Sequence, residues 1–285
     1  MIFNHILEEK ALDLRSCIEN HSADEIVAYK MVDGEPITLG LFLPSQYHSN
    51  SNYPTIFFIH GGGWTSHQIF ADQKEWQGDH LGYLARYYAD KGYIGISIDY
   101  RLLQDMGQKE NYQLADLYAD CVDAVNYVLD RADEYRIDME NVYLLGESAG
   151  GHLAGMIATK YKREGFQFQT VFLFNPLTDF VDDEEWRKRV LSGAEQGKYA
   201  KELSPLYNIQ ADICPVILVH GKKDTTVNPQ HSEAFYKKMC EIGRKSELHF
   251  IDETGHAFLL AEYTKNMTAC KIGISILDGI LKESK

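Results

Sequence analysis

The chain has 285 residues, 45% hydrophobic and 12% aromatic, enough apolar mass for one large α/β domain with a sizeable core. Its net charge of −14 repels polyanions, which excludes nucleic acid and an anionic membrane surface as expected partners. The five cysteines (Cys17, Cys121, Cys214, Cys240 and Cys270) are scattered and odd in number, so no disulfide framework is expected. No Cys-x-x-Cys, His-x-His or His-Glu-x-x-His spacing supplies a zinc signature.

The first ten residues are too acidic and too briefly apolar for a signal peptide, and no run approaches the ~20 apolar residues of a membrane span. A cytoplasmic location is therefore expected unless a leader was removed. Residues 1–22 carry Ile6, Leu7, Leu14 and Ile18 and are expected to form an amphipathic cap. Strand-like segments follow at 25–32, 36–43, 54–60, 93–98, 141–146, 170–175, 215–220 and 246–251, the first two as a hairpin. From the third onward they alternate with helical patterns. That order predicts an α/β fold: a mostly parallel eight-stranded sheet with helices on both faces.

Leu114, Leu117, Cys121, Val125, Val128 and Leu129 trace one buried helix face, and Ile272, Ile276, Ile280 and Leu281 trace another. Residues 180–205 stand outside the alternation. Their charged run Asp182 to Arg189 reads as a small cap helix or as a solvated surface helix.

Gly146-Glu147-Ser148-Ala149-Gly150-Gly151 follows the apolar run Asn141 to Leu145 and precedes the helical spacing of Leu153, Met156 and Ile157. This places Ser148 at a sharp strand-to-helix turn, where flanking glycines let the two backbones approach. The helix start aims its free amides at the same point. Pro54 to Ile59, the most apolar strand candidate, runs into His60-Gly61-Gly62-Gly63-Trp64. Amides near Gly61 and Gly62, with that of Ala149, would form an oxyanion cradle. A phosphate loop is excluded because no Gly-Lys-Ser/Thr ending follows and Trp64 would crowd a phosphate.

A serine needs an imidazole to take its proton and a carboxylate to orient that imidazole. Asp224 lies in the loop after strand 215–220, and His256 in the loop after strand 246–251. The chain order Ser148, Asp224, His256 is that of an α/β-hydrolase. Asp252 and Asp179 are alternative acids, Asp179 also reading as a helix cap. Of the other histidines, His5, His21, His48, His67, His80 and His231 sit in polar contexts and are expected to be solvated. His60 and His220 read as structural, and His152 as packed one turn into the nucleophile helix.

With these motifs the chain resembles the α/β-hydrolase superfamily, and within it the His-Gly-Gly-Gly branch of hormone-sensitive-lipase-like carboxylesterases and bacterial acetyl and feruloyl esterases. The resemblance spans residues 54–260 and includes Asp99-Tyr100-Arg101-Leu102 after a strand. Val227-Asn228-Pro229 departs from the relatives' valine-proline. The resemblance implies Ser148 as nucleophile, Asp224 as acid, His256 as base, and Gly61, Gly62 and Ala149 as oxyanion donors, with no metal or cofactor. It implies a serine carboxylesterase for short acyl esters such as acetylated sugars or small aryl esters. Trp64 and Trp186 are the aromatics expected nearest the substrate. The same triad would serve an aryl formamidase or small serine peptidase, and a binding protein on this fold is the reading outside enzymes.

Overall fold

The computed structural model describes residues 14, 17, 21–48, 50–66, 81–103, 112–191, 196–260 and 266–283. The cap expected at 1–22 lies outside these apart from its last two residues and Leu14 and Cys17, both of which are buried.

Strands β1 (Glu25–Val32) and β2 (Glu35–Phe42) form an antiparallel hairpin. Asp33 and Gly34 turn it with φ of 52° and 89°, the left-handed pair that a tight hairpin favours. Then come β3 (Tyr53–Ile59), β4 (Ile94–Ile98), β5 (Ile137–Glu147), β6 (Thr170–Phe174), β7 (Val216–Gly221) and β8 (Ser246–Ile251). The eight strands lie in the order β1-β2-β4-β3-β5-β6-β7-β8. β2 joins β4 antiparallel, and every pairing from β4 to β8 is parallel.

The helices are α1 (Gly82–Ala89), α2 (Leu114–Leu129), α3 (Ala149–Lys160), α4 (Glu184–Val190), α5 (Gln196–Glu202), α6 (Gln230–Glu241) and α7 (Met267–Glu283), with a 3-10 turn at Pro205–Asn208. Alternation along the strands divides the core. Phe57, Leu144 and Leu173 face α2, α3 and α6, whereas Phe58, Leu145 and Phe172 face α1 and α7. Covered on both faces, the central strands read as unbroken apolar runs.

The expected strands recur within a residue or two, except that β5 starts at Ile137, where it pairs with Tyr53 before the main register begins. The last helix needs a correction. Its buried line is Cys270, Ile274, Leu277 and Leu281, whereas Ile276 and Ile280 flank it and Ile272 is 41% exposed. Isoleucine spacing alone drew the stripe to one side of the face that Cys270 and Leu277 define.

Candidate active site

Strand β5 ends at Glu147 and helix α3 starts at Ala149, so Ser148 alone makes the turn. It does so at φ 57° and ψ −118°, a strained conformation for a residue with a side chain. Two hydrogen bonds hold it: Ser148 N donates to Phe174 O at 2.8 Å, and Ser148 O accepts from His152 N at 2.9 Å. The close approach requires the glycines. A Cβ on Gly146 would lie 2.2 Å from Gly150 O, and one on Gly150 2.0 Å from Ile59 O.

His256 stands between Ser148 and Asp224. Its Nε2 is 2.8 Å from Ser148 Oγ and its Nδ1 is 2.6 Å from Asp224 Oδ2. In the tautomer that donates Nδ1–H to the carboxylate, Nε2 is free to accept the serine proton. Asp224 Oδ1 accepts the amides of Thr226 and Val227, each at 2.9 Å, and His220 Nε2 lies 3.2 Å from Oδ2. Burial would raise the Asp224 carboxyl. The bonds from His220, His256 and Val227 outweigh it and hold the group well below the usual carboxylate range.

The glycine loop lies against the elbow. A Cβ on Gly61 would be 3.3 Å from Ser148 Cβ, and Gly62 and Gly63 turn the chain away at φ 98° and 61°. Tyr100 braces this loop: its hydroxyl donates to His60 O at 2.8 Å and Gly61 O at 3.2 Å, and its ring stacks on His60. Ala149 opens α3 from the other side, where first-turn amides have no intrahelical partner.

Trp64 is 1% exposed, packed against His152, Phe180 and Trp186. Trp186, on α4, is half-buried and donates its indole N–H to Thr226 O at 2.9 Å. The charged segment at 180–205 thus forms two short helices, and α4 reaches the acid loop. His152 is buried, donates Nε2–H to Leu203 O, and is driven down to about 4 by burial.

The competing acids stand elsewhere. Asp179 caps a turn by accepting Val181 N at 2.6 Å, and Asp252 is exposed in an ion pair with Lys222. His231 corrects the solvated reading: it is buried, accepts Thr178 N, and meets Asp183 at 3.1 Å. His48 is exposed as expected, His21 is half-buried, and His5, His67 and His80 lie outside the described residues. The departure at Val227-Asn228-Pro229 leaves Val227 buried and leads directly into α6.

Sequence reasoning gave Glu147 no part. It is 1% exposed, and its Oε1 accepts Leu259 N, three residues past His256, at 3.1 Å. A carboxylate two residues past the apolar run Val142–Leu145 was the available signal. Among the described residues, no group of three or more His, Cys, Asp or Glu side chains is arranged to hold a metal ion, and no helix is long and apolar enough to cross a membrane.

Comparison with known proteins places this geometry. The sequence pattern of the BD-FAE family matches residues 39–239. A probable isoprenylcysteine alpha-carbonyl methylesterase of Oryza sativa subsp. japonica is 25% identical over 79% of the chain and 55% of its own length. The probable carboxylic ester hydrolase LipM of Mycobacterium tuberculosis is 26% identical over 72% of the chain and 49% of its own. The chain thus spans about half the length of these curated relatives. The thermophilic esterase Est2 of Thermogutta terrifontis superposes with a TM-score of 0.76 at 25% identity, covering 93% of both chains. Its propionate-bound and butyrate-bound forms superpose at 0.76 and 0.75.

Proposed function

Because the chain belongs to the BD-FAE family of α/β-hydrolases, we propose that it is a serine carboxylesterase that cleaves short-chain acyl esters. The observation that carries this reading is the unbroken hydrogen-bonded line Asp224–His256–Ser148 beside a glycine loop. His256 Nε2 takes the hydroxyl proton as Ser148 Oγ attacks the ester carbonyl carbon. The carbonyl electron pair moves to oxygen, and the amides of Gly61, Gly62 and Ala149 receive that charge. Collapse of the intermediate expels the alcohol, which takes the proton from His256. Water, deprotonated by the same imidazole, then attacks the acyl-enzyme and frees the acid and Ser148. Asp224 stays ionised throughout and stabilises the imidazolium.

The acyl group is proposed to lie near the aromatic cluster of Trp64, Phe180 and Trp186, and to be short. The propionate and butyrate held by Est2 support the same short range for this chain. For the alcohol, acetylated sugars and small aryl esters are the proposed class. Hydrolysis of p-nitrophenyl acetate, butyrate and octanoate, with acetylated xylo-oligosaccharide alongside, tests the reading on the native protein and Ser148→Ala. Rates that fall with acyl length and vanish in the variant are expected. Absence of any Ser148-dependent hydrolysis overturns the reading.

A further inference from the structure

Glu147 is a buried carboxyl for which the mechanism above has no use. It ends β5 one residue before the nucleophile, yet its side chain reaches the loop of the base, accepting Leu259 N at 3.1 Å. The same peptide segment is gripped from its other side: Leu259 O accepts the hydroxyl of Tyr83 on α1. The loop between His256 and this anchor is also packed into the core: Phe258 and Leu259 are buried, Phe258 meets the ring of Phe174, and Cys270 Sγ lies 3.8 Å from Leu259 O. Ala257 takes φ 55°, a conformation that a residue with a side chain holds only when its surroundings impose it, and Leu260 N closes a turn onto Ala257 O at 3.0 Å.

We propose that Glu147 is the positioning residue of the base: its carboxylate grips the chain three residues beyond His256 and holds the imidazole in line between Ser148 and Asp224. The nucleophile and the base lie 108 positions apart in the sequence, and Glu147 ties one to the other through a single side chain. The inference rests on the triad reading above, since it concerns how that triad is held.

The groups facing the carboxyl are His256 and Asp224 from the loops after β8 and β7, the phenol of Tyr83 on α1 and the thiol of Cys270 on α7. Burial pushes Glu147 up to about 7, with His256 and the Leu259 amide favouring the charged form and Asp224 opposing it. A proton gained by Glu147 weakens its grip on the amide and removes a negative charge from beside the imidazole. Activity on the acid side therefore depends on Glu147 losing its proton.

The test follows covalent capture of Ser148 by diethyl p-nitrophenyl phosphate, read as protein mass, in native protein, Glu147→Gln and Glu147→Ala between pH 5 and 8. In this step Ser148 Oγ bonds to phosphorus, p-nitrophenolate leaves, and the serine proton passes to His256. Glu147→Ala should react about 10- to 100-fold more slowly, the scale expected when a catalytic group is displaced by about an ångström. Glu147→Gln keeps an acceptor oxygen and should be impaired less. Its acid limb should be less steep than the native one, because the proton that Glu147 binds is gone. Native and alanine proteins reacting at equal rates would overturn the inference. So would a glutamine variant whose acid limb matches the native one, and that comparison decides alone if the alanine variant does not fold. Failure of the native protein to react at all would instead remove the triad reading itself.

Discussion

Trp186 donates its indole N–H to the carbonyl oxygen of Thr226 at 2.9 Å, and Thr226 passes its own amide to Asp224 Oδ1. Helix α4 is thus fastened to the loop that holds Asp224. Its second root is Asp183, which caps α4 by accepting Trp186 N at 2.9 Å and faces the buried His231. Asp183→Ala removes a helix cap worth about 1 kcal/mol and leaves His231 without its carboxylate. The expected outcome is a helix α4 that frays: KM for p-nitrophenyl butyrate rises severalfold while kcat holds, because the Ser148–His256–Asp224 bonds do not involve Asp183. Steady-state kinetics decide this. A fall in kcat with KM unchanged would mean that α4 supports the acid rather than the substrate.

Asp224 and Asp179 separate by their partners. Asp224 holds an imidazole at 2.6 Å, whereas Asp179 holds the backbone amides of Val181 and Asp182. Asp224→Asn should reduce turnover by about 10,000-fold, as an amide supports the wrong tautomer of His256. Asp179→Asn keeps an acceptor oxygen for the turn and should retain most of the activity. Measuring kcat for both variants on one ester gives the ranking, and the reverse order would identify Asp179 as the acid.

Tyr100 acts on the glycine loop through one hydroxyl shared between the carbonyls of His60 and Gly61. Tyr100→Phe keeps the ring that stacks on His60 but takes the hydroxyl donor from His60 O and from Gly61 O, the latter keeping His60 Nδ1 at 2.8 Å, at a cost of about 1–3 kcal/mol. The loop carries the proposed oxyanion amides, so the loss should appear in kcat more than in KM. Urea unfolding and steady-state kinetics on the same preparation test both halves. A less stable variant with native kcat would show that Tyr100 braces the fold and not the cradle.

What the sequence disclosed, and what it hid, follows from how local each constraint is. The elbow was legible because Gly146 and Gly150 are forced by backbone contacts within a few residues of Ser148 and by the neighbouring strand end at Ile59. The central strands were legible because burial on both faces makes each an apolar run between turns. Glu147 was not, since its partner Leu259 is 112 positions away and a lone carboxylate in a motif carries no sign of direction. His231 was misread for the same reason: polar neighbours along the chain say nothing of Thr178 and Asp183, which surround it in space. The C-terminal helix shows a milder failure, in which equal-looking isoleucines hid a face set by Cys270, Ile274 and Leu277.

Glu147 and His152 pull the stability of the fold in opposite directions with pH. Glu147 has a folded value of about 7 against an ordinary 4.5. Between those values the folded chain keeps a proton that the unfolded chain has released, so this group's contribution falls as pH rises through 7. His152 lies at about 4 when folded against an ordinary 6.5. There the unfolded chain binds the extra proton, and stability rises with pH until the ordinary value is passed. The two slopes oppose each other through the window they share, and above it only the Glu147 cost remains. Glu147→Gln removes that cost, so at pH 8 it should be more stable than the native protein by up to about 3 kcal/mol, less what the buried amide loses in hydration. At pH 5 the advantage should shrink, because native Glu147 is then neutral. Calorimetric melting at the two pH values measures the difference. A Tm shift equal at both would show that the carboxyl ionises as freely in the folded chain as in the unfolded one. A variant more stable at pH 8 yet slower to react would show a carboxylate retained for the base at the expense of the fold.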